Sequence, residues 1–344
     1  MIVKHAQKGY ILVLTLMMLT IVLVLTTQIF NGGTIYSLIA QTTVEREKAK
    51  RLALGGVQVA MSQLFTTTSE QPIEKPQLQK ALVPALNRWQ QFTFTQGRDG
   101  IEGALQICVM CEQGKFNLNA FYDFPKKKFI NEDQPNGGMR KIAEELFKRV
   151  KDFVGGKDLF PAFEKLLKER GYPFNDVTEL FASAEFAPFK NLVFYEPPSD
   201  QEKKGKRPVY LTDLFTVSTQ KELIDPLLFS DSVCAVLGLA RAQDGQIKKR
   251  TEEIKNLLQN MKPKIDWKAD WDTILKPLYG KDFTSLPKDI DSVLDSQFEP
   301  LTFSVLSYGK VGKISQRMLV IIEKHTNKKG SSASPFIIKR MYWI

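Results

Sequence analysis

Histidine and cysteine are scarce in this chain of 344 residues, which contains two histidines and three cysteines. Zinc sites and Ser–His–Asp or Cys–His active sites depend on these residue types. Phosphate-binding GxxxxGK[ST] loops and HExxH zinc motifs do not occur in the sequence either. The sequence therefore offers no familiar catalytic centre, and we expect the protein not to be an enzyme.

Two of the three cysteines, Cys108 and Cys111, form the segment CVMC. An oxidising compartment would permit a disulfide between them. Side chains three positions apart on a regular strand point to opposite faces, however, so the pair could close only across a bend. A redox motif would open a helix, and a zinc site would need a second pair where only Cys234 remains. We expect buried thiols or a local disulfide at this place.

Acidic residues cluster at 131–136, 266–272 and 289–295. Calcium prefers six to eight oxygen ligands from flexible loops, and none of the three clusters has the spacing of a known calcium loop. Trp267 and Trp271 are four residues apart, which favours an amphipathic helix for the second cluster. We predict no cofactor and leave calcium open as a ligand.

Positive charge is unevenly distributed. The net charge is +10, and the residues from Lys310 to the C-terminus hold eight Lys or Arg against one acid, Glu323. A basic tail can face nucleic acid, anionic lipid or an acidic partner. A solvated sheet face with basic loops is the simpler interpretation, and it disfavours nucleic acid as a partner.

Charge is missing from the long stretch between Lys8 and Glu45. Its first part, Tyr10 to Phe30, could cross a hydrocarbon core of about 30 Å as a helix. It is longer than the apolar region of a cleaved secretory signal. Because Lys4 and Lys8 precede it, we predict a single-pass anchor with a cytoplasmic N-terminus and most of the chain beyond the membrane.

The uncharged stretch continues to Val44, and as helix it would be about 52 Å long, which exceeds the thickness of a bilayer core. Gly32 and Gly33 should loosen the helix. Beyond Glu45, apolar and small residues recur at helical spacing and predict a helix to about Phe65 that lies on a globular domain. This predicted stripe comprises Ala49, Leu52, Ala53, Gly56, Val57, Ala60 and Leu64.

A short basic segment, then Gly9, then Tyr10 opening an apolar helix resembles the prepilin signal of type IV pilins and pseudopilins. In that family a membrane peptidase cuts after the glycine and methylates the new N-terminus, so the resemblance implies cleavage between Gly9 and Tyr10 and N-methylation of Tyr10. Most members carry a glutamate at the fifth mature position, where Leu14 stands here. A generic anchor in which Gly9 is accidental is the plainer alternative.

The missing glutamate resembles the K-type minor pseudopilins of type II secretion, the family of general secretion pathway protein K, whose members sit at the pseudopilus tip. Some minor pilins of type IV pili also lack it. An unpaired carboxylate in a dry environment is costly, so a subunit with no neighbour above it gains from Leu14, which we assign to helix packing.

A second motif carries the same resemblance. K-type pseudopilins follow a strand with an acidic residue, a Gly-Lys turn and an apolar-Asn-Leu-Asn run, although Cys111 stands here where aspartate is common. Short asparagine side chains cap turns, so a structural role is expected for both asparagines. The matching residues are Glu112, Gly114, Lys115, Asn117, Leu118 and Asn119.

The remaining pattern predicts an α+β fold. A short helix is expected at 81–91, and alternation from Phe92 to Val109 around the turn GRDG predicts an antiparallel hairpin. Apolar residues at three- and four-residue spacing predict helices at Met139–Val154, Lys157–Arg170, Asp231–Ala242 and Gln246–Met261.

Three β-rich runs close the chain, with Phe303, Val305, Met318, Val320, Ile322 and Ile337 pointing inward. This order is similar to the K-type pseudopilins: a pilin-like N-terminal long helix packed on an antiparallel sheet, with a large α-helical domain inserted into the sheet. The expected segments are a leader at 1–9, the helix at 10–65, the first part of the pilin-like domain at 66–120, the helical insert at 121–297 and the closing strands at 298–344.

The resemblance implies a structural subunit that starts assembly of a periplasmic pseudopilus from the inner membrane. Its implied partners are the other minor pseudopilins, the major pseudopilin, the prepilin peptidase and secreted substrates. A minor pilin of a type IV pilus, acting in assembly, adhesion or DNA uptake, is the first alternative. An anchored enzyme with an unrecognised site is the second, and a fragment starting near Glu45 would then be active.

Overall fold

The computed structural model describes residues 3–69, 82, 85–133, 138–197, 208–219, 223–240, 265–287, 290–295, 300–324 and 336–344. Its first element is one helix, α1 (Val3–Ser69), of 67 residues, which makes it about 100 Å long. Helix α1 runs without a break through Gly32 and Gly33, so the expected loosening at the glycines is wrong. Two glycines lower the stability of a helix by about 2 kcal/mol relative to alanine. Helix formation is cooperative, so the long helical segments on both sides keep the hydrogen bonds intact through the glycines.

A five-stranded sheet forms the centre of the molecule, with the strand order β1-β2-β7-β8-β9. Every neighbouring pair is antiparallel, which confirms the predicted hairpin and the three closing strands. A four-residue helix, α2 (Gln96–Asp99), lies between the first two strands. The strands are β1 (Arg88–Phe94), β2 (Gly103–Cys111), β7 (Thr302–Val311), β8 (Ile314–Lys324) and β9 (Phe336–Trp343).

Strand β1 corrects the short helix that was expected at 81–91, because Arg88 to Gln91 are extended and paired with β2. The tertiary environment overrides local preference here. Trp89 stacks on Tyr195 and packs against Tyr308, with ring centroids 5.7 and 5.1 Å apart respectively. Because Tyr195 and Tyr308 are distant from Trp89 in the chain, the sequence around Trp89 does not reveal these contacts.

The chain leaves the sheet at Cys111 and returns to the neighbouring strand at Thr302, so the prediction of a large insertion into the sheet is confirmed. The residues between them, 112–301, are called the insert. The insert is mainly helical in its described part, and its longer helices confirm three predictions, whereas the helix predicted at Gln246–Met261 lies outside the described residues. Its α-helices are α3 (Gly138–Val150), α4 (Phe160–Glu169), α5 (Leu211–Leu214), α6 (Asp231–Leu237), α7 (Trp267–Ile274) and α8 (Lys276–Tyr279).

The described part of the insert has two short strand pairs, in which each strand has two residues. Strands β3 (Phe116–Asn117) and β6 (Phe215–Thr216) pair in parallel, and β4 (Tyr122–Asp123) pairs with β5 (Lys128–Phe129) in antiparallel. They are too short to form a second core sheet. Their effect is to fasten distant parts of the insert to one another.

The two faces of the sheet are covered by different elements. Helix α1 packs on β2, β7 and β8, and the side chains beneath it are those predicted to point inward, from Phe303 and Val305 to Ile322. The opposite face carries Leu306 and Tyr308 and is covered by Tyr195 and Tyr210 of the insert. The molecule is therefore layered as helix, sheet and insert.

Ile337 departs from the predicted alternation, because 41% of its surface is exposed. A β-bulge shifts the register so that Ile321 pairs with Arg340 and Ile322 with Ile338, which leaves Lys339 as an extra residue. One extra residue inverts the face of every side chain that precedes it in β9. Phe336 therefore takes the inward place and packs against Phe303.

Candidate functional site

The first candidate is the exposed N-terminal part of α1, from Tyr10 to Val44. None of its most apolar stretch is buried. Tyr10 is 70% exposed and Leu14 is 44% exposed. The helix is long and apolar enough to cross a membrane. An apolar surface of this extent requires lipid or another protein around it.

The threonines of this segment are compatible with an apolar environment. Each hydroxyl donates a hydrogen bond of 2.6 to 3.1 Å to a carbonyl three or four residues earlier in the helix. Such bonds satisfy the hydroxyl within the helix itself, so burial in lipid leaves no unpaired donor. The threonines are Thr15, Thr20, Thr26, Thr27, Thr34, Thr42 and Thr43.

Gly9 and Tyr10, the predicted cleavage site, lie within the helical part of α1, which begins at Val3. Tyr10 and Leu14 lie about one helical turn apart, and both are exposed. Cleavage, methylation and the packing role of Leu14 stay predictions.

Close approach of α1 to the sheet depends on small residues. The predicted stripe is confirmed, since Ala49, Ala53 and Ala60 are fully buried. A β-carbon added to Gly56 would lie 2.2 Å from the hydroxyl oxygen of Ser307. That hydroxyl donates a hydrogen bond of 2.7 Å to the carbonyl of Ala53. The backbone of α1 therefore packs directly against β7.

The second candidate is the motif that follows β2, because it contains a buried ion pair. Lys115 Nζ lies 2.5 Å from a carboxylate oxygen of Glu112, and the two side chains are 1% and 4% exposed. The ammonium also donates to the Thr212 carbonyl at 2.9 Å and to Ser304 Oγ at 3.0 Å. The second Glu112 oxygen accepts a hydrogen bond from the Thr216 hydroxyl. Every charge of the pair is therefore satisfied within the protein.

These contacts join separate parts of the fold. Ser304 belongs to β7 of the sheet, whereas Thr212 and Thr216 belong to α5 and β6 of the insert. The ion pair follows directly on β2, where the chain enters the insert. Glu112 and Lys115 therefore fasten the insert to the sheet at its point of entry.

Gly114 is required by the close passage of another backbone segment. A β-carbon on Gly114 would lie 1.8 Å from the carbonyl oxygen of Leu228. The Gly114 carbonyl accepts a hydrogen bond of 3.1 Å from the Ser230 backbone N–H. Only glycine fits between these segments.

Both asparagines of the motif hydrogen-bond to backbone groups. Asn117 accepts a hydrogen bond from the Asn119 N–H at 3.0 Å and donates to the Thr219 carbonyl at 3.2 Å. Asn119 makes two bonds with the backbone of Phe174, donating to its carbonyl at 2.9 Å and accepting from its N–H at 2.7 Å. Leu118 between them is fully buried. The motif is therefore a structural junction.

A cavity of about 450 Å³ lies between this junction and the insert-facing side of β8 and β9. Its wall is mainly apolar, and its polar groups include Lys115, Asp176, Arg340 and Tyr342. The Tyr342 hydroxyl donates a hydrogen bond of 2.9 Å to Asp176. Burial opposes ionisation of Asp176, but hydrogen bonds from Thr178 and Tyr342 and the nearby Arg340 charge hold the pKa of this carboxyl below its ordinary value of 3.8.

The disulfide between Cys108 and Cys111 is not formed, which excludes that part of the prediction. Strand β2 is regular through both residues. Cys108 packs on the insert side of the sheet and Cys111 packs in the cluster beneath α1. The two thiols therefore lie on opposite faces, and burial raises the pKa of Cys111 far above its ordinary value.

Within the described ranges, no group of three or more His, Cys, Asp or Glu side chains comes together in a way that could hold a metal ion. The acidic cluster at 266–272 is largely the helix α7, with Asp266 capping its N-terminus and Trp267 and Trp271 buried. This confirms the amphipathic helix predicted there. Calcium stays an untested expectation.

Sequence reasoning missed the partners of the ion pair. Thr216 and Ser304 lie 104 and 189 residues from the motif residues that they contact. Serine and threonine are common in any sequence, and nothing in their local pattern distinguishes them. Tyr342 and Asp176 were missed for the same reason, since they are 166 residues apart.

No family model matches this chain, and no curated protein does. Among solved structures, the chain is similar to a chain of the GspK-GspI-GspJ complex from the type 2 secretion system of enterotoxigenic Escherichia coli. The similarity has a TM-score of 0.44 and a sequence identity of 14%, and it covers 88% of this chain and 98% of the other.

Proposed function

We propose that this protein is a non-enzymatic, membrane-anchored minor pseudopilin of the K type, placed at the tip of a type II secretion pseudopilus and active in starting its assembly. The observation that carries the proposal is the single helix α1. Its N-terminal part is exposed and apolar, and its C-terminal part is seated on a sheet. The exposed part is longer than a bilayer core, so helices of other subunits must cover the remainder.

The proposed mechanism follows from this division of α1. Residues from Tyr10 onward pack beside the helices of other minor pseudopilins in the inner membrane, and Leu14 contributes apolar packing where a carboxylate would lack a partner. The N-terminus is cytoplasmic and the globular part is periplasmic. The major pseudopilin then adds beneath this group, while the insert faces secreted substrates.

The first experiment is an intact-mass and N-terminal analysis of the membrane-extracted protein, made with and without the prepilin peptidase. A chain that begins at an N-methylated Tyr10 only when the peptidase is present supports the proposal. Retention of residues 1–9 in both samples would refute it and leave an ordinary anchored domain.

A second experiment separates the proposed system from a type IV pilus. Loss of the protein should abolish export of secreted proteins while surface pili remain. Loss of pili with normal export would assign the chain to the alternative, a minor pilin.

A further inference from the structure

The cavity of about 450 Å³ between the sheet and the insert has the size of a small-molecule site. Such sites usually measure about 300–1,000 Å³. Its apolar wall comes from both sides, namely from Leu319 and Ile321 of β8 and from Val177, Phe194 and Phe215 of the insert. Water finds few hydrogen-bond partners on a wall of this kind. An apolar occupant is therefore favoured over water.

The charged residues that line the cavity balance one another. Glu112 and Lys115 form the buried ion pair, and the ammonium uses all three of its donors. Asp176 and Arg340 carry the other two charges of the lining, and Arg340 lies close enough to Asp176 to lower its pKa. A charged ligand would bring one unbalanced charge into a mainly apolar site, which costs free energy. The cavity therefore favours a neutral ligand.

The hydroxyl of Ser304 provides an unused hydrogen-bond donor in the lining of the cavity. Ser304 is only 1% exposed. Its oxygen accepts a hydrogen bond of 3.0 Å from Lys115, but its own O–H finds no acceptor among the residues that the structure describes. A buried donor without a partner costs free energy, and an oxygen atom of a ligand would supply the acceptor.

The cavity lies far from the predicted membrane segment, Tyr10 to Phe30. Ala53 of α1 contacts Ser307, which is in the same strand as Ser304 and three residues away from it. Ala53 lies 23 residues beyond the end of the predicted membrane segment, which corresponds to about 35 Å of helix. A lipid that remains in the bilayer does not reach that far, so the occupant is a free molecule.

We propose that this cavity binds a free, neutral acyl or alkyl molecule that carries one oxygen acceptor, such as the ester of a medium-chain fatty acid. The apolar wall holds the chain, and the Ser304 hydroxyl donates to the oxygen. Because the wall comes from both the sheet and the insert, the bound molecule holds the two together and stabilises the folded chain by mass action. Binding does not depend on the proposed function, and only the exclusion of bilayer lipid uses the predicted membrane segment.

The first test uses methyl decanoate that carries a diazirine on its chain. It is added to the full-length protein in lipid nanodiscs without detergent, since the alkyl chains of a detergent could fill the same cavity. After irradiation, peptides that contain Phe215 and Ile321 should be labelled, whereas label on residues 10–44 reports probe that is dissolved in the lipid. Saturating methyl decanoate should also raise the melting temperature of the protein.

Competition at pH 8 defines the chemistry of the ligand. Unmodified methyl decanoate should suppress the label in the cavity at least tenfold more effectively than decanoate, which is charged, or undecane, which has no oxygen. Equal competition by decanoate or by undecane would overturn the inference. Label that is confined to residues 10–44 would overturn it as well.

Two half-buried valines provide matched variants. Val217 lines the cavity, whereas Val193 does not. Val217→Trp should fill the cavity, lower its label at least tenfold and abolish the rise in melting temperature. Val193→Trp should change the label less than twofold, with both variants folded by thermal unfolding. Equal labelling of the two folded variants would overturn the inference, and if Val217→Trp does not fold, the competition in the wild type decides.

Discussion

The ion pair of Glu112 and Lys115 shows how single residues hold the insert in place. Both side chains are almost fully buried, and the cost of desolvating two charges is offset only when their donors and acceptors find partners. Here the partners come from β7, α5 and β6. Removal of one charge therefore harms the junction more than removal of both.

Lys115→Met should destabilise the protein by about 3–5 kcal/mol, because it leaves a buried carboxylate without a counter-charge. The double variant Glu112→Gln with Lys115→Met should recover a substantial part of that loss. Urea unfolding of the wild type, the single variant and the double variant measures both effects. A double variant less stable than the single one would contradict this account of the pair.

Gly114→Ala should destabilise the fold by about 3 kcal/mol, since its β-carbon would meet the backbone of Leu228 at 1.8 Å. Gly171→Ala is the control, because nothing lies within 4 Å of the corresponding position there. Thermal unfolding of the two variants distinguishes a steric requirement from a general effect of replacing glycine. Equal melting temperatures would count against the close passage.

The pKa of Asp176 predicts a dependence of stability on pH. This carboxyl has a lowered pKa in the folded state, so it contributes stability above its ordinary pKa of 3.8, and that contribution is lost as the pH falls through the folded-state value. Asp176→Asn should be less stable than the wild type at pH 7, and the difference should shrink below about pH 4. Urea unfolding from pH 7 to pH 3 tests this, and a difference that does not change with pH would contradict it.

Helix α1 is one element with two environments. From Tyr10 to Val44 the helix is exposed and carries no charged residue, and from Ala49 it buries a narrow stripe of small residues against the sheet. The change follows from composition, since charged residues begin at Glu45 and restrict the apolar surface to one face. Lipid or other helices can therefore contact the first part from every side, whereas the sheet already occupies one face of the second part.

Two neighbouring glycines of α1 should respond in opposite ways to alanine. Gly55→Ala should stabilise the protein by roughly 0.5–1 kcal/mol, because alanine favours helix and nothing lies within 4 Å of the added carbon. Gly56→Ala should destabilise it by about 1–3 kcal/mol, because the added carbon would displace Ser307. Chemical denaturation of both variants gives the comparison. A gain in stability for both would show that α1 does not pack closely on β7.

At the scale of the whole molecule, the insert and the sheet share one core. The hydrophobic cluster beneath α1 continues into the helices of the insert, from Val57 and Ile107 to Phe163 and Trp271. A second cluster joins the opposite face of the sheet to Tyr195 and Tyr210. Such shared burial makes independent unfolding of either part costly.

A fragment that begins at Glu45 should therefore unfold in a single transition. It keeps the part of α1 that packs on the sheet, which starts at Ala49. Hydrogen exchange of the sheet and of α3 and α4, followed across a urea series, should give coincident midpoints. Separate midpoints would mean that the insert is an independent domain.

Local pattern was sufficient for most of the longer elements of this fold. The uncharged run and the small-residue stripe gave α1, alternation gave β2, β7 and β8, and helical spacing gave α3, α4 and α6. In each of these elements the spacing of apolar residues follows from one buried face, and such spacing can be recognised in a short stretch of sequence. The first half of β1, Arg88 to Gln91, was predicted wrongly because its pairing with β2 and the packing of Trp89 against Tyr195 decide its conformation.

The sequence by itself determined that this protein has a long apolar helix, a sheet and a helical insertion, because those properties depend on neighbours in the chain. Only the tertiary structure decided what the turn motif does, since Glu112 and Lys115 meet Thr216 and Ser304 across more than a hundred residues. It also decided the faces of Cys108 and Cys111 and the bulge at Lys339. Such features arise where segments distant in the chain come into contact, and a local sequence pattern does not predict those contacts.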